Sequence, residues 1–130
     1  MRTGFLMTGL LSLAAPALAG DAPPRATYVT MVLQAFAAKV ECPNTDLVYQ
    51  DLVQQAQQMQ LPDGTTEQVR KAIAYMHTGG KMGEKQDDDL MAEVAVATQA
   101  TDMDQRRLGM PGWCEAQKTN LAGLIRSKGS

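Results

Sequence analysis

Apolar positions recur three and four residues apart along most of this chain. Over ATYVTMVLQAFAAKVE, Val29, Val32, Leu33, Phe36 and Val40 share one helical face. This first helix is expected to end near Cys42, because Pro43 disfavours helical backbone in the residue before it. PNTDLVYQDLVQQAQQMQL repeats the spacing with Val48, Leu52, Ala56 and Met59. Asn44 or Thr45 can cap this second helix, with Asp46 favourable in its first turn. Glutamines 54, 55, 57, 58 and 60 fill much of its other side. The apolar stripe persists through them, so they read as solvated helix surface rather than a low-complexity tract. LPDG, residues 61–64, is a turn. Thr65 and Gln68 then stand at capping-box spacing. The third helix buries Val69, Ala72, Ile73 and Met76 and stops at Gly79-Gly80. GGKMGEKQ, residues 79–86, carries the strongest signals of a mobile connection. In the fourth helix Asp87 caps, Asp88 and Asp89 face the positive dipole end, and Leu90, Met91, Val94, Ala97 and Thr101 face inward. It is expected to fray in DMDQRR. GMPG turns the chain into a last helix over about residues 112–127, with Trp113, Ala116, Leu121, Leu124 and Ile125 inward. No alternating strand pattern competes. The expected class is all-α, a compact array of about five helices.

The N-terminus breaks this pattern. Arg2 precedes an apolar run from Gly4 to Ala15, and Ala17-Leu18-Ala19 is a small-x-small site. That is the layout of a secretory signal peptide, residues 1–19, cleaved after Ala19. The run is too short for a spanning helix of roughly 20 residues, and no other stretch approaches that length. No cysteine follows the cleavage site directly, which argues against a lipid anchor. Residues 20–25 read as a flexible leader, 26–127 as a single helical domain, and 128–130 as a tail. The expected localisation is periplasmic or secreted. Loss of Arg2 takes the 12 basic residues to 11 against 14 acidic, a net charge of about −3. No basic cluster remains to follow a phosphate backbone, so nucleic acid is not an expected partner.

Export changes the reading of the only two cysteines, Cys42 and Cys114. In an oxidising compartment they are expected to form one intramolecular disulfide. The alternatives are a catalytic thiol or an intermolecular bridge. There is no Cys-x-x-Cys for redox catalysis and no Cys-x-x-Cys-His for covalent haem.

Other chemistry is thinly supplied. After cleavage the chain holds one histidine, His77, and two serines, Ser127 and Ser130, both in the C-terminal tail. A Ser-His-Asp system would place its nucleophile on a fraying end. Zinc would lack a fourth ligand and compete with the disulfide. Seven methionines remain, and thioethers select copper(I); Met76-His77 with Met82 is the local cluster to weigh. The competing reading is that Met31, Met59, Met76 and Met91 fill gaps in the core. Glu41, Glu67, Glu84, Glu93 and Glu115 are available for carboxylate catalysis. Only Glu93, within LMAEVAV, has an apolar context, and it is expected to point outward. Asp87–Asp89 lack the spacing and glycine of a calcium loop. No catalytic, cofactor-binding or metal-binding residues are assigned, and no cofactor is expected.

Cys42-Pro43 after the first helix, Trp113-Cys114 opening the last, and LAGLIR at 121–126 resemble a family of small secreted α-proteobacterial helical proteins with one disulfide. That family has no established activity, so the resemblance implies a fold and no chemistry. In plan, though not in motif, the chain is also similar to periplasmic acid-stress chaperones, which are small, helical and held by one disulfide. Full protonation would swing the charge from about −3 to about +12, and self-repulsion favours opening. The leading expectation is a non-enzymatic module that binds another periplasmic protein, an immunity protein against a periplasmic toxin being one special case. An acid-activated holdase is the alternative, and a carboxylate-dependent cell-wall enzyme the third.

Overall fold

A computed structural model describes residues 24–129. The expected signal peptide, its cleavage site and leader residues 20–23 lie outside the described residues, as does Ser130. Five helices carry the fold: α1 (Pro24–Glu41), α2 (Tyr49–Gln58), α3 (Thr65–His77), α4 (Asp88–Leu108) and α5 (Met110–Asn120). Two short strands, β1 (Thr45–Asp46) and β2 (Arg126–Ser127), pair antiparallel with Thr45 opposite Ser127. The class is all-α, as the periodicity indicates.

α1 begins at Pro24 rather than Ala26, so two residues expected in the leader are helical. Proline suits a first helical turn, where its missing N–H would have had no partner. α1 is buried on two sides. Val29, Val32 and Leu33 face the main core as expected, but Tyr28, Ala35 and Ala38 are also fully enclosed. Tyr28, Ala35 and Cys42 are spaced by seven, so they form a second stripe. At the end of α1 the burial shifts wholly to that stripe, which leaves Val40 81% exposed, against expectation.

Two boundaries differ from the periodic reading for one reason. β1 occupies residues 45–46, where a helix start was expected, and α2 begins only at Tyr49. α5 ends at Asn120 instead of running to 127. The segments between are drawn together: Asp46 lies opposite Arg126, and the Lys128 amide donates to the Asn44 carbonyl at 3.1 Å. Lys128, expected to belong to a free tail, is thus tied to the domain. Long-range pairing has overridden local helix preference. Leu47 rather than Val48 consequently packs on the core. After α5 the chain turns through Gly123 at φ 92°, and Leu121 and Leu124 still reach the core.

Three further expectations are corrected. Gly64, not Thr65, caps α3; the Thr65 hydroxyl donates to the Pro62 carbonyl at 2.7 Å, so no capping box forms. α4 does not fray in DMDQRR but continues to Leu108, helped by an Arg107–Asp104 pair at 3.1 Å. Gly109 alone then links α4 to α5, at φ 74° and ψ 155°, a conformation open essentially to glycine. Met110, Pro111 and Gly112 are already helical. Asp87 caps α4 as expected, its carboxylate accepting from the Leu90 amide at 2.9 Å.

The loop at 79–86 is more tightly held than its glycines suggest. The Thr78 hydroxyl accepts from the Met82 amide at 2.9 Å, and the Glu84 amide donates to the Lys71 carbonyl at 3.3 Å. Gly83 sits directly on α3: a Cβ there would lie 2.7 Å from the Tyr75 amide nitrogen.

The core has two parts. The larger joins α1–α4 through Val29, Val32, Leu52, Val69, Leu90 and Val94. The smaller holds Trp113, Ala38 and the disulfide between Cys42 and Cys114, whose Cα atoms are 5.7 Å apart. Cys114 therefore does join the end of the first helix to the start of the last.

Candidate functional site

α1 and α4 form the most extensive helix pair, and they run in the same direction. Near their starts Arg25 Nε donates to Glu93 Oε1 at 2.8 Å; near their ends Gln105 donates to Glu41 at 3.3 Å. Side chains of both helices meet inside the pair. Outside it their surfaces diverge into a groove of 510 Å³, lined by Ala26, Thr27, Thr30, Met31, Ala92, Glu93 and Val96. Its walls are almost wholly apolar. Thr30 removes its own polarity by donating to the Ala26 carbonyl at 3.3 Å.

The groove continues as a surface. Ala92, Ala95, Val96, Ala100 and Met103 are exposed on the outer side of α4, while Val94, Ala97 and Thr101 are buried on its inner side. Between Val94 and Thr101 the helix carries no charged residue. Gln99 and Asp102 are exposed among these residues, so the outer face is polar in part but has a high apolar content for a solvated element. The alternation of Val and Ala in VAVATQAT hides this in sequence, because the inner stripe already accounts for half of the apolar residues.

Glu93 is the polar boundary of the groove. It was expected to point outward; instead its side chain is 19% exposed and engages Arg25 through both oxygens, the second at 3.3 Å. Hydrogen bonding to Glu93 holds the Arg25 guanidinium firmly charged, and Asp87 adds to this at 3.9 Å. The same pair walls off a second cleft of 360 Å³, where Arg25 and Glu93 face Asp63, Thr65 and Gln68. An ion pair therefore separates an apolar groove from a polar one. Its two oxygens are committed to Arg25, so Glu93 is a fastener and a rim rather than a free base.

The other candidate carboxylates are dispersed. Glu67 is bound by Arg70 Nε at 3.0 Å and by the Tyr49 hydroxyl at 2.8 Å. Those two hydrogen bonds, Arg70 first, pull its carboxyl from 4.5 down to about 2. Desolvation, then the bond to Glu67, pushes the Tyr49 phenol up to about 12. Glu84 pairs with Lys71 at 3.2 Å and Glu115 with Lys118 at 3.2 Å. A general acid needs a carboxyl raised toward neutrality, and Glu67 is shifted the other way.

The methionine and histidine cluster separates on folding. Met76 packs on the main core together with Met31, Met59 and Met91, while Met82 is exposed. His77 bridges α3 to α4: Thr98 spends its own proton on the Val94 carbonyl at 2.8 Å, so His77 Nε2 donates to Thr98 at 3.2 Å. Among the described residues, no three His, Cys, Asp or Glu side chains gather as a metal site, and no helix is long and apolar enough to cross a membrane.

Comparisons with protein-family models, curated proteins and solved structures returned no match.

Proposed function

We propose that this protein is a non-enzymatic, exported helical module that binds a protein partner through the α1–α4 groove. The observation that carries this reading is the groove itself. It is apolar, 510 Å³ in volume, and continuous with the stretch of α4 from Val94 to Thr101, which carries no charged residue. Among the described residues no side chain covers this strip, and apolar strips rimmed by polar residues are a recurrent form of interaction site. Its shape suits an amphipathic helix laid between two parallel helices, with anchors at three- and four-residue spacing. The Arg25–Glu93 pair at the rim supplies the polar contact that sets the partner's register. The signal-like N-terminus supports an extracytoplasmic setting, and the single disulfide is consistent with one.

Val96 is the place to test it. A photo-crosslinking residue at 96 should capture one discrete protein in periplasmic extract, through an apolar helix of that protein. The same probe at exposed Gln54 on α2 should not. Val96→Glu should abolish capture by a probe at Ala92 while changing stability by no more than about 0.5 kcal/mol. Equal labelling at 54 and 96, or capture only of a second copy of this chain, would refute the reading.

A second reading, an acid-opened holdase, is favoured by a different observation. Three ion pairs that join distant elements depend on ionised carboxylates: Arg25–Glu93, Arg126–Asp51 at 2.8 Å and Lys39–Asp46 at 3.7 Å. Strong acid, by neutralising these carboxylates, would release all three. Failure to suppress client aggregation there, with the disulfide intact, would dismiss it.

A further inference from the structure

The disulfide does not lie sealed in the interior. Cys42 and Cys114 are each 8% exposed, whereas their neighbours Ala38 and Trp113 are fully enclosed. Both cysteines line an open pocket of 280 Å³ with Pro43, Thr45, Met110 and Pro111. Glu115 and Lys118 close one side of this pocket, paired to each other at 3.2 Å. A second cleft of 280 Å³ shares Pro43, Thr45 and Lys118 and runs on to Arg126.

We propose that the Cys42–Cys114 bridge is a thiol-exchange site, addressed from solvent through this pocket without unfolding of the domain. The reagent class is an external thiolate, from a small thiol or from the active-site cysteine of a dithiol protein. The two sulfurs are not equivalent. Cys42 follows the C-terminal, electron-rich end of α1. Cys114 lies in the second turn of α5, away from any helix C-terminus, with Glu115 beside it and Lys118, paired to Glu115, one turn further on. The negative end of α1 disfavours a departing thiolate at Cys42, so Cys114 is the better leaving group. The external thiolate therefore attacks Cys42 Sγ. A new S–S bond forms to Cys42, the bridge breaks, and its electron pair departs on Cys114 Sγ as thiolate. A second external thiolate then attacks the probe sulfur, releasing Cys42 thiolate and an oxidised probe dimer. The protein gains two electrons and the two probe thiols lose them.

Breaking the bridge removes the only covalent tie between the end of α1 and α5. What then remains between them is the small apolar cluster of Ala38 and Trp113, with Ala37 and Met110 packed against it. Exchange at this pocket would thus loosen the last helix and report itself through the only tryptophan.

The test uses the intact oxidised protein and reduced glutathione. Loss of the bridge, followed by Trp113 fluorescence and thiol labelling, should rise in proportion to glutathione and be unchanged by about 1 M urea, well below unfolding. A rate that plateaus with glutathione, or that climbs with urea as global unfolding does, would mean that the sulfurs are reached only by opening. Acid-trapped mixed disulfide should carry glutathione on Cys42; glutathione on Cys114 would overturn the assignment of the attacked sulfur. Lys118→Gln leaves Glu115 unpaired in the pocket. It should slow anionic glutathione relative to cationic cysteamine by about threefold, with salt erasing the difference. An unchanged ratio would show that attack does not pass this pocket. A dithiol oxidoreductase at equal thiol concentration, acting faster than glutathione, would identify a protein as the source of the thiolate; no acceleration would identify a small thiol.

Discussion

Tyr28→Phe removes one oxygen from the centre of this fold and should cost far more than its surface area suggests. Tyr28 is fully buried on α1, and its hydroxyl donates to the Leu52 carbonyl at 2.8 Å. It also lies 2.6 Å from the Thr66 hydroxyl. A phenol has one proton, and a carbonyl can only accept, so that proton goes to Leu52 and Thr66 donates to Tyr28. One oxygen thereby ties α1 to α2 and α3. Burial pushes the phenol up, and the hydrogen bond from Thr66 offsets part of that. Phenylalanine would fill almost the same volume but take a hydrogen-bond partner from two groups: the Leu52 carbonyl and a buried threonine hydroxyl. Each stranded group costs about 1–3 kcal/mol. Leu52 O still has its helical bond as a backbone acceptor, so the total should be about 2 kcal/mol rather than the sum. At this domain size that corresponds to a fall in Tm of about 8 °C or more. Urea unfolding should show a lower midpoint with an unchanged slope, since no additional surface is exposed. Thr66→Val alone should cost less, because Tyr28 keeps its bond to Leu52. The double variant should then lose less than the two single losses together, since Thr66 no longer needs a partner. A Tyr28→Phe loss below about 0.5 kcal/mol, or strict additivity in the double variant, would refute the three-helix tie.

Other perturbations follow from the same contacts. Gly83→Ala should destabilise by about 2–3 kcal/mol, because a Cβ would strike the α3 backbone and φ is 75° there; thermal unfolding beside Gly79→Ala, which meets nothing within 4 Å, isolates the clash from the positive φ. Cys42→Ser with Cys114→Ser should lower stability by about 4 kcal/mol, for cysteines 72 positions apart, measured by Trp113 fluorescence in urea; a loss near zero would show the bridge to be energetically idle. Glu67, lowered from 4.5 to about 2, stabilises the fold above its unfolded value and loses that contribution as pH falls through the window between them. Glu67→Gln should therefore flatten the dependence of Tm on pH between about 4.5 and 2, and an unchanged slope would contradict the pairing with Arg70 and Tyr49.

Much of this architecture is legible in local sequence signals. They place the inner faces of α3 and α4, the cap at Asp87, the stop at Gly79-Gly80, the gap-filling methionines, and the pairing of the only two cysteines. Each of these is local, or is forced by a count of two. Tertiary structure decided the rest. The start of α2 and the end of α5 depend on β1 meeting β2, some eighty residues apart in sequence; nothing near Asn44 or Ile125 announces the other. Glu93 lies in an apolar stretch whose outward face is occupied by Arg25 from another helix. Tyr28 lies off the one stripe that the spacing of α1 shows, and only the assembled fold gives that helix a second buried side. The candidate groove has the same origin. Hydrophobic periodicity reports which side of one helix avoids water; it carries no information on which helix lies alongside, in which direction, or whether the outer face is ever covered. Parallel packing of α1 and α4 turns ordinary alanines, threonines and valines into an apolar groove, and that arrangement exists only after the chain between them has folded back.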